Sequence, residues 1–306
     1  MAGKAFRKGI SLVDLMDMFP SDEVAEDWFI QTRWPNGVAC PNCGSTDIND
    51  QANHPTMPFH CRDCRKFFSA KTGTVMHGSK LGYRKWALAI YIFTTGLKGT
   101  SSMKLHRDLG ITQKTAWYMA HRIRESLGNP EAPFTGPVEV DETYIGGRES
   151  NKHESKKLRS GRGPVGKTAV VGMKDRESGK VASSVALSTD KATLHGFVES
   201  NIENGAKVYT DEHPGYRDLA NHETVKHSVK EYVHGQAHTN GVESFWAMLK
   251  RGYVGTYHHM SVDHLHRYVT EFAGRHNDRP SDTHDQMSHI VEGMDGKRLR
   301  YEDLVA

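Results

Sequence analysis

The chain has 306 residues, enough for two or three domains with a sizeable core. Mean hydropathy is -0.63, and no apolar run reaches the roughly 18–20 residues of a membrane span. An integral helical membrane protein is therefore excluded, and with no apolar signal core after the basic first residues a cytoplasmic location is expected. The net charge is only +3, but it is unevenly spread: residues 60–128 hold 13 Lys/Arg against 3 Asp/Glu, and residues 148–167 hold 7 against 2. Two such concentrations are the footprint of a nucleic-acid binder.

Residues 1–35 read as a helical segment. Leu12, Leu15, Met16 and Phe19 mark one amphipathic stretch and Ala25, Trp28 and Phe29 a second, broken at Pro20-Ser21-Asp22, where Ser21-Asp22 supplies a helix N-cap. Residues 36–75 contain all four cysteines, as Cys40-Pro-Asn-Cys43-Gly and Cys61-Arg-Asp-Cys64. Two Cys-x-x-Cys knuckles without a secretion signal point to metal rather than disulfides. Four thiolates fill a tetrahedral shell, so Cys40, Cys43, Cys61 and Cys64 are expected to hold a closed, structural Zn2+ in a zinc ribbon.

Residues 80–130 turn helical. A helix ends near Gly96, Ser101-Ser102 caps a second that closes at Gly110, and Thr112 caps a third over residues 113–127. A short helix, a Gly turn and a polar-faced helix make a helix-turn-helix pattern. Gln113, Lys114, Tyr118 and Arg122 are the candidate DNA contacts. The linker at residues 129–137 is rich in proline and marks a boundary.

Residues 136–278 read as the catalytic domain. Residues 138–147, Val-Glu-Val-Asp-Glu-Thr-Tyr-Ile-Gly-Gly, form a strand entering a turn. Asp141 and Glu142 interrupt it and point to opposite faces. A basic loop follows at residues 148–166. Strands are expected over 167–173, 180–187 and 207–210, with a short one near 224–228. Helices are expected over 191–202, around 216–221 and over 240–251. The order β-β-β-α-β-α-β-α is that of the ribonuclease-H-like fold. Asp211 ends the fourth strand, and Glu243 lies seven residues before Lys250, on the same helical face. Convergent carboxylates of this kind suit a pair of hard, oxygen-liking cations in phosphoryl transfer. Asp141, Asp211 and Glu243 are the candidate ligands of Mg2+ or Mn2+, and Lys250 is placed to grip a phosphate. Phe245, Trp246 and Leu249 are expected to pack the other side of that helix. A second metal site among His234, His238, His258 and His259 matches no zinc spacing. The polar residues 279–306 read as a partly disordered tail with a weak last helix.

Several motifs together resemble the bacterial insertion-sequence DDE transposases with an N-terminal zinc ribbon, the ISXO-like group of the retroviral-integrase superfamily. They are Cys-Pro-x-Cys-Gly, Cys-Arg-x-Cys-Arg-Lys-x-Phe, Val-Asp141-Glu-Thr-Tyr-x-Gly-Gly, Tyr-x-Asp211-Glu and Asn240-x-x-Glu243-Ser-Phe-Trp-x-x-Leu-Lys250. The resemblance spans about residues 10–280. It implies an α+β multidomain protein whose triad is Asp141, Asp211 and Glu243, with Lys250 as the accompanying base. Related transposases also use Asn as the third member, which brings in Asn240, one turn before Glu243; the charge of Glu243 and its spacing to Lys250 favour the acid. The implied partners are double-stranded DNA, as transposon ends and target, and further copies of the chain, as a homodimer or higher oligomer bound to the nucleoid. The implied reaction is metal-dependent cleavage and strand transfer. Two other readings are a domesticated, non-catalytic zinc-ribbon regulator and a ribonuclease-H-like nuclease without strand transfer.

Overall fold

A computed structural model describes residues 8–130, 132–147, 149–158, 164–224 and 239–306. These fall into two units, Met1–Leu127 with Arg279–Ala306 and Gly128–Asp278.

The first unit opens with α1 (Leu12–Met18) and α2 (Asp22–Arg33), capped by the hydroxyls of Ser11 and Ser21. A small antiparallel sheet follows, in the order β1 (Ile48–Asn49), β2 (Phe59–Cys61), β3 (Phe67–Phe68). Its core is Cys40, Phe59, Cys61 and Phe68. Trp34, at the end of α2, meets the rings of Phe59 and Phe68 edge-on at 5.9 and 6.0 Å, so the ribbon is seated on that helix. Next come α3 (Tyr83–Thr95), α4 (Ser102–Leu109) and α5 (Gln113–Ser126), capped by Ser101 and Thr112 at the last two starts. Gly110 closes α4 at φ 58, a left-handed conformation that a side chain disfavours.

The second unit is a five-stranded sheet in the order β6-β5-β4-β7-β8. Its strands are β4 (Val138–Ile145), β5 (Thr168–Asp175), β6 (Val181–Ala186), β7 (Val208–Thr210) and β8 (His222–Thr224). The first three form an antiparallel meander, while β4, β7 and β8 run parallel. Helix α6 (Lys191–Asn201) lies on the face carrying Val138 and Val140. Helices α7 (Asn240–Gly252) and α8 (Val262–Asp278) lie on the face carrying Ile145 and Val170. A mixed sheet of this order between helices is a ribonuclease-H-like arrangement. Among the described residues, no helix is long and apolar enough to cross a membrane.

Three expectations need correction or limits. Residues 216–221 do not form a helix; a 3-10 turn, Pro214–Tyr216, stands there, and the chain leaves it through extended Arg217 (ψ 140) and left-handed Asp218 (φ 66), neither of which continues a helix. Residues 279–306 are not a loose tail. They form α9 (Thr283–Glu292) and α10 (Tyr301–Val305), and Met287, Ile290, Val291 and Met294 enter the core of the first unit. Finally, residues 225–228, His234, His238, Arg148 and residues 159–163 of the basic loop lie outside the described residues.

Candidate active site

Strand β4 runs through the middle of the sheet, and alternation sorts its side chains. Glu139 and Asp141 face α7; Val140 and Glu142 face α6. Glu139 is 2% exposed and accepts the backbone N–H groups of Gly241 and Val242 at 2.7 and 3.1 Å. These are orphan donors of the first turn of α7, where a carboxylate also meets the positive end of the helix dipole. Arg176 Nε donates to the other Glu139 oxygen at 2.9 Å. The start of α7 is thereby pinned two residues from Asp141.

One turn further along α7, Trp246 Nε1 donates to Asp141 Oδ2 at 3.0 Å. The indole reaches that carboxylate by crossing Gly172, the residue paired with Asp141 on β5. A Cβ at Gly172 would stand 2.6 Å from the indole ring, so only glycine leaves the passage open. Trp246 thus packs in the core with Phe245 and Leu249, as the sequence leads one to expect, and in addition holds Asp141.

Asp211 follows β7, the parallel neighbour of β4, and its Oδ1 accepts the N–H of His213 at 3.0 Å. Glu243 is exposed on the first turn of α7, and its Oε1 accepts the Thr239 hydroxyl at 3.0 Å. Burial, then the fields of Glu142, Asp211 and Glu243, push the Asp141 carboxyl up to about 7. Glu142 also sits above the ordinary range, through burial and the charge of Asp211. It accepts the Tyr216 hydroxyl at 2.9 Å and lies 3.8 Å from His213 Nε2. Asn240, the first residue of α7, is exposed. Lys250 is exposed near the end of α7, where it lines a cavity of about 610 Å3.

Asp141, Asp211 and Glu243 carry oxygen donors of the kind hard divalent cations take, and the charges of the other two reach Asp141. Among the described residues, the group whose ligand atoms all close to within 4.8 Å is the four cysteines, not these acids. The thiolate site fits zinc by distance. Sγ atoms lie 3.6 Å apart in the pairs Cys40–Cys64 and Cys43–Cys61, and all four lie within 4.8 Å of one another. A tetrahedron with Zn–S bonds of about 2.3 Å has S···S edges of about 3.8 Å.

The helix-turn-helix candidates divide into two pairs. Gln113 and Lys114 are exposed at the start of α5. Arg122 is 8% exposed and donates to the carbonyl of His77 at 3.0 Å and to Tyr118 Oη at 2.7 Å. The Tyr118 hydroxyl in turn donates to the Leu299 carbonyl at 2.7 Å. Those two side chains serve the packing of the C-terminal segment, which also brings Tyr301 under Lys114 at 4.4 Å.

Residues 133–277 match the ISXO2-like transposase domain, and residues 20–67 match the transposase zinc-ribbon domain. Those two segments therefore carry the domains of ISXO2-like transposases. A relative from Halobacterium salinarum, described as an uncharacterized protein in transposable element ISH50, is 29% identical over 268 residues, covering 83% of this chain and 90% of the relative. The ribbon thus carries its four cysteines as a structural zinc site.

The sequence reading missed Glu139, Gly172 and Tyr216. Glu139 had a signal, an acid two residues before Asp141 and so on the same face. Gly172 and Tyr216 act only through contacts distant in sequence.

Proposed function

We propose that the chain binds the ends of an insertion sequence and catalyses metal-dependent DNA strand cleavage and strand transfer. The observation that carries this reading is the partly buried Asp141 carboxyl, opposed in its ionisation by the charges of Glu142, Asp211 and Glu243. Asp141, Asp211 and Glu243 would hold divalent cations, which supply charge for in-line displacement at phosphorus when bound. Trp246 fixes the Asp141 carboxylate from one side. Glu139 sets the start of α7, and with it Glu243. Lys250 offers a cation to a backbone phosphate beside the acids. Gln113 and Lys114 are exposed at the start of α5, where they can meet DNA, and the ribbon adds a second contact.

The test uses duplexes from the inverted repeats flanking the gene, a target plasmid and Mg2+. The reading expects nicks with 3′-hydroxyls and products joined to the plasmid. Cleavage without joining would instead indicate a nuclease, and no cleavage with Mg2+ or Mn2+ would indicate a non-catalytic regulator.

A further inference from the structure

The cavity beside Lys250 has a chemistry of its own. Its walls include Tyr144 from the end of β4, Lys167 just before β5, Lys250, and Tyr253 and His258 from the turn that follows α7. Tyr253–Tyr257 is a π-helical turn, and His258 closes it at φ 59 with its N–H on the Tyr253 carbonyl at 2.7 Å. Such turns commonly shape functional sites.

Three features define an occupant. No carboxylate lines the cavity, and among the described residues neither Lys167 nor Lys250 has an acidic partner, so an anion is wanted. A volume of about 610 Å3 lies within the roughly 300–1,000 Å3 of organic-ligand sites, so a lone phosphate would leave most of it empty. Tyr253, on the α7 side, offers a ring on which a base can stack. The location adds a fourth constraint. Lys250 lies seven residues past Glu243, about 10 Å along the helix, and Tyr144 lies three past Asp141, about 10 Å along the strand. At about 3.4 Å per stacked nucleotide, that is some three nucleotides from the acids.

We propose that this cavity takes one unstacked nucleotide of the DNA strand, its phosphate on Lys167, Lys250 and His258 and its base against Tyr253. The inference rests on the transposase reading and adds a substrate subsite to it. A base must leave the duplex stack to enter, which an already unpaired base does most readily.

The test compares two duplexes of one sequence, the second carrying a single unpaired 2-aminopurine, bound to the full chain. Wild type is expected to bind the bulged duplex about tenfold more tightly, with the probe's emission quenched on a tyrosine ring. Tyr253→Leu should remove the quench and most of the preference. Lys167→Gln, on a less buried position, should cut the bulged duplex's affinity severalfold. Equal binding of the two duplexes by wild type, or a preference unchanged in both variants, overturns the subsite and leaves the transposase reading standing. Failure to bind either duplex overturns both.

Discussion

Asp141 ionises against opposition, from burial first and then from the charges of Glu142, Asp211 and Glu243, and its pKa stands at about 7 in the folded chain against an ordinary 3.8. The sign of its effect on stability follows. Below about pH 4 both folded and unfolded chains carry the proton, and the contribution is complete. As pH rises towards about 7 the unfolded chain releases the proton first, so folded stability is lost. Without added divalent cation, the melting temperature of wild type should fall across that window more than that of Asp141→Asn. At pH values above 7, Mg2+ should restore wild type and leave Asp141→Asn unmoved. Glu139 makes a different prediction. It is buried against Arg176 and the start of α7, and removing one partner of such a pair costs about 3–5 kcal/mol. Glu139→Ala should therefore show that loss in urea denaturation, at a residue that touches no substrate.

At the scale of elements, α5 should separate into a DNA-facing start and a structural end. Lys114→Gln should weaken DNA binding severalfold at an unchanged melting temperature. Arg122→Ala should lower stability by about 1–3 kcal/mol, the cost of orphaning buried partners, as read by thermal denaturation. The local devices of these elements were legible in the sequence. Ser101, Gly110 and Thr112 announce the ends of α4 and α5 through capping chemistry, and the paired knuckles announce the ribbon. The strand holding Asp141 was legible through alternation, which also assigned Asp141 and Glu142 to opposite faces. The use of Trp246 was not legible. It depends on an absent side chain at Gly172, on another strand.

Across the whole molecule, legibility fell with sequence separation. The C-terminal residues were read as polar and loose, although Met287, Ile290, Val291 and Met294 stand at i, i+3, i+4 and i+7, a short helical stripe set among polar residues. The partners of that stripe lie in α2, α3 and α5, far away in sequence. Met287 is 0% exposed, so Met287→Ala should cost the first unit about 2–5 kcal/mol. The succession of the larger sheet's strands along the chain was readable because each strand had its own pattern. The 3-10 turn at Pro214–Tyr216 was not read as such; it ends at extended Arg217 and left-handed Asp218. The central claim is that Asp141, Asp211 and Glu243 act as one metal-dependent site. Its most direct measurement is Mg2+-dependent cleavage of end DNA by Asp141→Asn, Asp211→Asn, Glu243→Gln and Asn240→Ala, with end binding measured in parallel. The three acid variants should each lose about a thousandfold or more of cleavage at unchanged binding, and Asn240→Ala should keep most of it. Near wild-type cleavage by any acid variant, or loss confined to Asn240→Ala, would contradict the account.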